Sequence, residues 1–230
     1  MAALEQRGAA LVFASAAVWS FGGAIARYLS VTDSWVAIFW RSLCAGLFLL
    51  GFMLWREGRS GTWKLFRAMG WAGFWVGVCF ATASTCFVVA LGYTTVANIL
   101  LMQAGAPLIA ALLTWGLFGE RIGAATWAAI GCVFVGVAIM VSQSFTGRVS
   151  PIGDGLALVI SISIATATVL TRRFAHVRMT PAVFLSCLMQ AAIGGAMSLS
   201  SHVVPTIHDF GWLFVFGALN LGFGLAMFVT

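Results

Sequence analysis

Charge is what this 230-residue chain has least of: 8% of its residues are charged, against 62% that are hydrophobic. That balance excludes a soluble domain, since one core of this size could not hide so much apolar surface. No aspartate or glutamate lies deep in an apolar segment, so an obvious proton relay is missing. The histidines, His176, His202 and His208, all fall in connections. No Ser/His pair, paired aspartates or H-E-x-x-H motif is therefore available for chemistry inside a bilayer, and no enzyme is expected. Cys44, Cys79, Cys86, Cys132 and Cys187 form no C-x-x-C pair and have no histidine at metal-ligand spacing. They read as small packing residues, and neither a metal nor another cofactor is expected. Low-complexity stretches and an appended soluble domain are also missing.

What is present is apolar length. Eight windows fall near 9–27, 35–55, 69–91, 95–118, 124–142, 153–171, 182–200 and 210–229, each close to the ~20 residues a spanning helix needs. They are continuously apolar, so they predict helices rather than barrel strands. The net charge of +6 could suggest a polyanion, but its placement argues otherwise. With a cytoplasmic N-terminus, the inner connections hold Arg7, Arg56, Arg59, Lys64, Arg67, Arg121, Arg172, Arg173 and Arg178, and the outer ones hold Arg27 and Arg148. That is a positive-inside bias; it sets orientation, and no nucleic acid partner is expected. Arg7, an apolar stretch and Ala24-Ile25-Ala26 resemble a signal peptide. The stretch is long enough to span, however, and it has an internal counterpart.

That counterpart comes from a shift of 145 positions, which lays Gly8 on Gly153, Arg27 on Arg172 and Phe39 on Phe184. Gly73/Gly77 falls on Ala218/Gly222, so a small-xxx-small stripe recurs and suggests that segments three and eight pack across a pseudo-two-fold axis. A unit with an odd number of spans, repeated in tandem, must enter the membrane upside down the second time. Inverted repeats are a transporter architecture with the binding site between the halves. The expected domains are 1–145, a first five-helix repeat, and 146–230, an incomplete second repeat of three helices. Thr230 falls on Thr85, so the rest of segment three and segments four and five have no second copy here. Residues 92–94 predict a minimal outer turn and 56–68 a polar inner connection. Residues 143–150 read as a linker, closed by Pro151 at a helix start.

Segment four is the most distinctive: Tyr93-Thr94-Thr95, Ala97-Asn98, Gln103, Pro107, then Gly119-Glu120-Arg121. With Val18-Trp19-Ser20-Phe21-Gly22, Phe39-x-Arg41, Trp127 with Gly131 and Gly136, Gly153-Asp154-x-Leu156-Ala157 and Arg172-Arg173, the chain resembles the EamA-type branch of the drug/metabolite transporter superfamily along essentially its whole length. The resemblance implies ten helices in two inverted five-helix repeats, cytoplasmic termini, and export or uptake of small metabolites. This chain departs from that pattern by lacking the last two helices and a second copy of the Pro107–Glu120 segment.

Several residues are candidates for a site. Pro107 has no N–H, so the carbonyl of Gln103 loses its helical partner and a bend is expected. Gln103 and Pro107 either line a substrate pathway or form a packed kink with an interhelical bond. Arg41 is the only charge well inside a segment. It either binds a substrate carboxylate or phosphate or snorkels toward the outer interface. Trp19 is a cavity-lining or packing aromatic. Asn98 is a gating or structural residue that could cap or bond a neighbouring backbone. Glu120 beside Arg121 makes either a closing contact on the inner side or a local salt bridge. Ser161, Ser163, Thr166, Thr168, Gln190 and Asn220 read mostly as interhelical hydrogen-bonding groups.

The leading expectation is alternating-access transport of small metabolites, amino acids or related compounds, through a cavity between the repeats. Uniport or exchange is favoured over proton coupling. The alternative is a truncated, non-transporting remnant or a subunit that needs a partner chain. The expected location is a bacterial inner membrane with the N-terminus cytoplasmic, and the expected partners are the lipid bilayer and a small-molecule substrate; a homodimer stays open.

Overall fold

A computed structural model describes residues 33–119, 122–144, 150–199 and 205–218, together with Phe13, Ala17, Val18 and Phe21. Most of segment one, the linker and the end of segment eight therefore lie outside the described residues. The architecture is all-α and multi-spanning: α1 is Ser34–Ala90, α2 Val96–Gln103, α3 Ala106–Phe118, α4 Ala124–Ser144, α5 Pro151–Arg173, α6 Thr180–Ser198 and α7 Ile207–Phe214. Among the described residues four stretches are long and apolar enough to cross a membrane: α1, Val96–Phe118 taken together, α5 and α6. Two shorter apolar helical stretches are Ala124–Ile139 and Asp209–Ala218.

α1 joins segments two and three. An unbroken helix of its 57 residues would run about 85 Å, far beyond the ~30 Å of hydrocarbon in a bilayer. Two glycines solve this. Gly58 (φ 67°) and Gly70 (φ 51°) leave the helical region for a part of backbone space that costs a Cβ-bearing residue but not glycine. They cut α1 into limbs 34–57, 59–69 and 71–90. The polar connection expected over 56–68 is thus mostly helical, because only its glycines break the backbone and the residues between them support a helix. The other boundaries follow the sequence closely. Tyr93 and Thr94 donate backbone N–H groups to the carbonyl of Ala90 at 2.9 Å each, forming the expected short turn. Thr95 then caps α2 by accepting from the N–H of Asn98. Pro151 opens α5, where a missing N–H costs nothing. Thr206 and Asp209 form a reciprocal capping box at the start of α7.

The chain divides into two compact units, residues 1–78 with 174–230, and residues 79–173. In the first, limb 34–57 and α6 run antiparallel. Cβ atoms built at Gly194 and Gly195 would meet Trp35 and Phe39, and one at Gly46 would meet Phe184 and Cys187. α7 lies along the same limb through the Trp40–Phe210 ring contact (4.7 Å) and the approach of Gly217 to the carbonyl of Arg41. A π-helical turn over 215–218 continues α7 at that approach. The core of the second unit is Ala83, Ala90, Ile99, Met102, Ala157 and Ile160, with Cys86, Phe87 and Ile164 packed on it. α5 packs along both α2 and α3. Outward faces carry bare Leu47, Leu117, Phe134 and Leu188, surface that water does not tolerate in such density and lipid does.

Candidate functional site

The polar groups of the membrane-spanning helices gather in two places, one in each unit. In the first unit Arg41 is 2% exposed. Its Nη2 donates to Oε1 of Gln190 at 3.0 Å, and the same oxygen accepts from Oγ of Ser42 at 3.4 Å. The amide Nε2 of Gln190 donates to the carbonyl of Ser186 at 3.2 Å. The guanidinium lies over the ring of Phe216, 5.0 Å from its centroid, a cation–π contact that strengthens where water is excluded. Arg41 does not snorkel: Gln190, reaching over from α6, holds it inside. The arrangement ties limb 34–57 to α6 and α7 and is filled by protein atoms.

The second unit is organised by a broken helix. Segment four does not merely bend at Pro107. α2 ends at Gln103, Ala104 and Gly105 turn, and α3 restarts at Ala106 with proline in its first turn. Proline there removes no hydrogen bond the new helix needs. The N–H of Gly105 returns to the carbonyl of Met102 at 3.1 Å, which also accepts from Oγ of Ser161 in α5 at 3.1 Å. The carbonyl of Met102 is thus a polar junction between α2 and α5, one residue before Gln103. Gly105 also admits Val133 of α4, which a Cβ there would meet at 3.1 Å.

At the start of α2, Nδ2 of Asn98 donates to Oγ1 of Thr94 at 3.0 Å and to Oδ1 of Asp154 at 2.7 Å. Asp154 is 5% exposed and sits in the first turn of α5, where the helix dipole favours a carboxylate. A Cβ at Gly153 would strike the side chain of Thr94 at 2.7 Å, so only glycine lets the 93–95 turn come this close. Asn98 thus bonds side chains, not a neighbouring backbone.

Below the break lies a cavity of about 250 Å³, lined in part by Pro107, Thr114, Thr126, Thr168 and Arg172. Oγ1 of Thr114 donates toward the carbonyls of Ala110 (3.1 Å) and Ala111 (2.9 Å), and Oγ1 of Thr168 donates to Ile164 at 2.8 Å. Both hydroxyl oxygens keep lone pairs to offer a solute. Arg172 supplies positive charge at the end of α5, while its neighbour Arg173 sits over the ring of Phe118 at 5.3 Å. The hollow thus mixes apolar side chains with hydroxyls and a guanidinium, as small-molecule sites do.

The sequence matches the EamA-like transporter family over residues 6–142, more than half of the chain. The chain belongs to that family. This EamA-like protein is accordingly a polytopic membrane protein of a transport-associated family, and membership is consistent with a non-enzymatic role. No curated protein matches its sequence significantly. A solved structure titled "Crystal structure of protein" is similar at a TM-score of 0.69 and 19% identity, over 96% of this chain and 77% of that one. At that identity the likeness speaks to the fold alone.

Of the residues singled out from the sequence, Pro107 lines the cavity. Gln103 is half-buried on α2 and stands apart from that lining. Arg41 and Asn98 lie in separate units, each in its own polar cluster. Trp19 and Glu120 lie outside the described residues. Asp154, Thr114 and Arg172 were not among the candidates. The signal for Asp154 was present in the sequence, as a carboxylate opening an apolar helix beside a glycine.

Proposed function

We propose that this EamA-like protein carries small metabolites, amino acids or related compounds, across a bacterial inner membrane by alternating access, with its N-terminus cytoplasmic. Residues 1–145 are read as a five-helix repeat and 146–230 as an inverted counterpart of its first three helices, eight spans over these residues. The cavity beside the broken helix is read as part of the solute pathway, with Pro107, Thr114 and Arg172 on its wall, and transport as uniport or exchange.

One observation carries the reading: packing in the first unit is reciprocal under the 145-residue shift. Segments two and seven are repeat equivalents and pack antiparallel, as inverted copies must. Segment three touches segment seven where a Cβ at Gly77 would meet the carbonyl of Ala182 and the side chain of Leu185. Its mate under the shift is a contact of segment eight with segment two, and Gly217 against Arg41 and Ala45 is such a contact. Close approaches at Gly77 and at Gly217 thus set the third segment of each copy against the other's second helix. Inverted pairs of this kind, together with a discontinuous helix, are the parts from which secondary transporters build a site.

The test is uptake of radiolabelled amino acids and related metabolites into proteoliposomes, alongside a variant that fills the cavity. Gly123 lines it, and a Cβ there meets nothing within 4 Å. Gly123→Trp should lower flux at least about tenfold, the loss expected when a positioned pathway is obstructed, while leaving thermal unfolding unchanged. No flux of any compound by the wild type would count against transport by this chain. Undiminished flux in the variant would remove this cavity from the pathway.

A further inference from the structure

Limb 59–69 of α1 is divided sharply around its circumference. Gly61, Thr62, Leu65, Phe66 and Met69 are buried or half-buried, whereas Arg59, Ser60, Trp63, Lys64, Arg67 and Ala68 are exposed. Two contacts hold the packed side. Oγ1 of Thr62 donates to the carbonyl of Gly58 at 2.8 Å, and the ring of Phe66 meets that of Phe184 edge-on at 5.6 Å. On the open side Arg59, Trp63 and Arg67 recur every fourth residue, so they share one line along the helix, with Lys64 beside it. Trp63 is 71% exposed, and Trp55 and Trp71, flanking the two glycine breaks, are 83% and 72% exposed.

Glu57 is taken by Arg178 at 2.6 Å and lies 3.6 Å from Arg56. Among the described residues no carboxylate pairs with Arg59, Lys64 or Arg67. An indole set between two guanidiniums is poorly placed for bulk water or for hydrocarbon. It is well placed at headgroup depth, where tryptophan rings settle and cations meet lipid phosphates. The neighbouring limbs are apolar and long enough to enter the bilayer on either side, which lays this limb along the membrane surface.

We propose that the 59–69 limb is a docking surface for anionic phospholipid headgroups, with Arg59, Lys64 and Arg67 holding the phosphates and Trp63 seated among them. The glycines at 58 and 70 free the limb to lie in the headgroup plane while the flanking limbs cross it. The proposal requires a membrane-spanning protein but not a transporting one, so a negative flux assay leaves it standing.

The test uses the full chain in phosphatidylcholine nanodiscs carrying a trace of either spin-labelled phosphatidylglycerol or spin-labelled phosphatidylcholine. The fraction of each label immobilised by the protein is read by electron paramagnetic resonance. The wild type should hold phosphatidylglycerol in preference, and the preference should shrink as salt rises from about 0.05 to about 0.5 M, since exposed charges are screened over that range. The triple variant R59Q/K64Q/R67Q should lose at least about fivefold of the preference, the effect of one basic side chain at an anionic surface. Should the triple variant not fold, R67Q alone and the wild-type salt titration decide. Equal association of the two lipids with the wild type overturns the proposal. So does a full preference retained in the charge-deleted variant, which would move the lipid site elsewhere.

Discussion

The two polar clusters differ in what surrounds them. Arg41 is buried: Gln190 of α6 and the ring of Phe216 contact its guanidinium, Ser42 shares the Gln190 oxygen, and Gly217 approaches its carbonyl. Around the Pro107 break the helix is interrupted, and a hollow lined by hydroxyls, apolar groups and Arg172 remains. Charge in the hydrocarbon region is the usual pointer to function, yet here the charge deep in a segment is enclosed, and the hollow lies beside a helix break. Polarity bonded on all sides fastens helices together. Polarity beside a cavity can be offered to a solute.

That contrast can be broken experimentally, most severely at Gly217. Gly217→Val would drive a side chain into the carbonyl of Arg41 and should cost about 3 kcal/mol as overpacking, seen as a lower unfolding midpoint in detergent and poor recovery of folded protein. Next is Arg41→Leu, which removes a charged hydrogen bond to Gln190 and should cost about 2 kcal/mol. If this variant kept its stability and lost only substrate affinity, Arg41 would belong to the pathway after all and the contrast would fail. In the second unit, the Asn98→Ala and Asp154→Ala pair should show a coupling of about 1 kcal/mol in a double-mutant cycle. No coupling would mean that the 2.7 Å contact is energetically silent. Smallest is Gln103→Ala, expected within about 0.5 kcal/mol of wild type, because among the described residues its side chain makes no hydrogen bond.

Local features were legible from the residues alone. The start of α2, the end of α3, the approximate bounds of α4 to α6, the turn at 92–94 and the start of α5 at Pro151 follow from apolar length, capping residues and proline. The break at Pro107 was legible as a disturbance but not in its extent. Where the helix restarts depends on Gly105 and on Ser161, which lies 59 positions from the carbonyl it bonds. The inner connection was read from its charges as a polar connection, and it is mostly helical, broken at two glycines. Long-range pairing was the least legible. The depth of Arg41 along its helix could be counted, but Gln190 lies 149 positions away, and no local pattern announces it. The residues offered substrate binding or snorkelling for Arg41, and the bond to Gln190 was in neither reading. The glycine stripe was read as a packing feature, and Gly77 does meet segment seven; its counterpart Gly222 lies outside the described residues.

The hydrogen bond between Asn98 and Asp154 also bears on biogenesis. The two residues are 56 positions apart, so the amide emerges from the ribosome well before the carboxylate it will meet. Until α5 arrives, Asn98 has Thr94 as its side-chain partner within α2 and its turn. Asp154, at the leading end of α5, must reach that waiting amide before it can leave the aqueous boundary at low cost. Chain order thus presents the amide first, and the later helix brings a carboxylate that fits it.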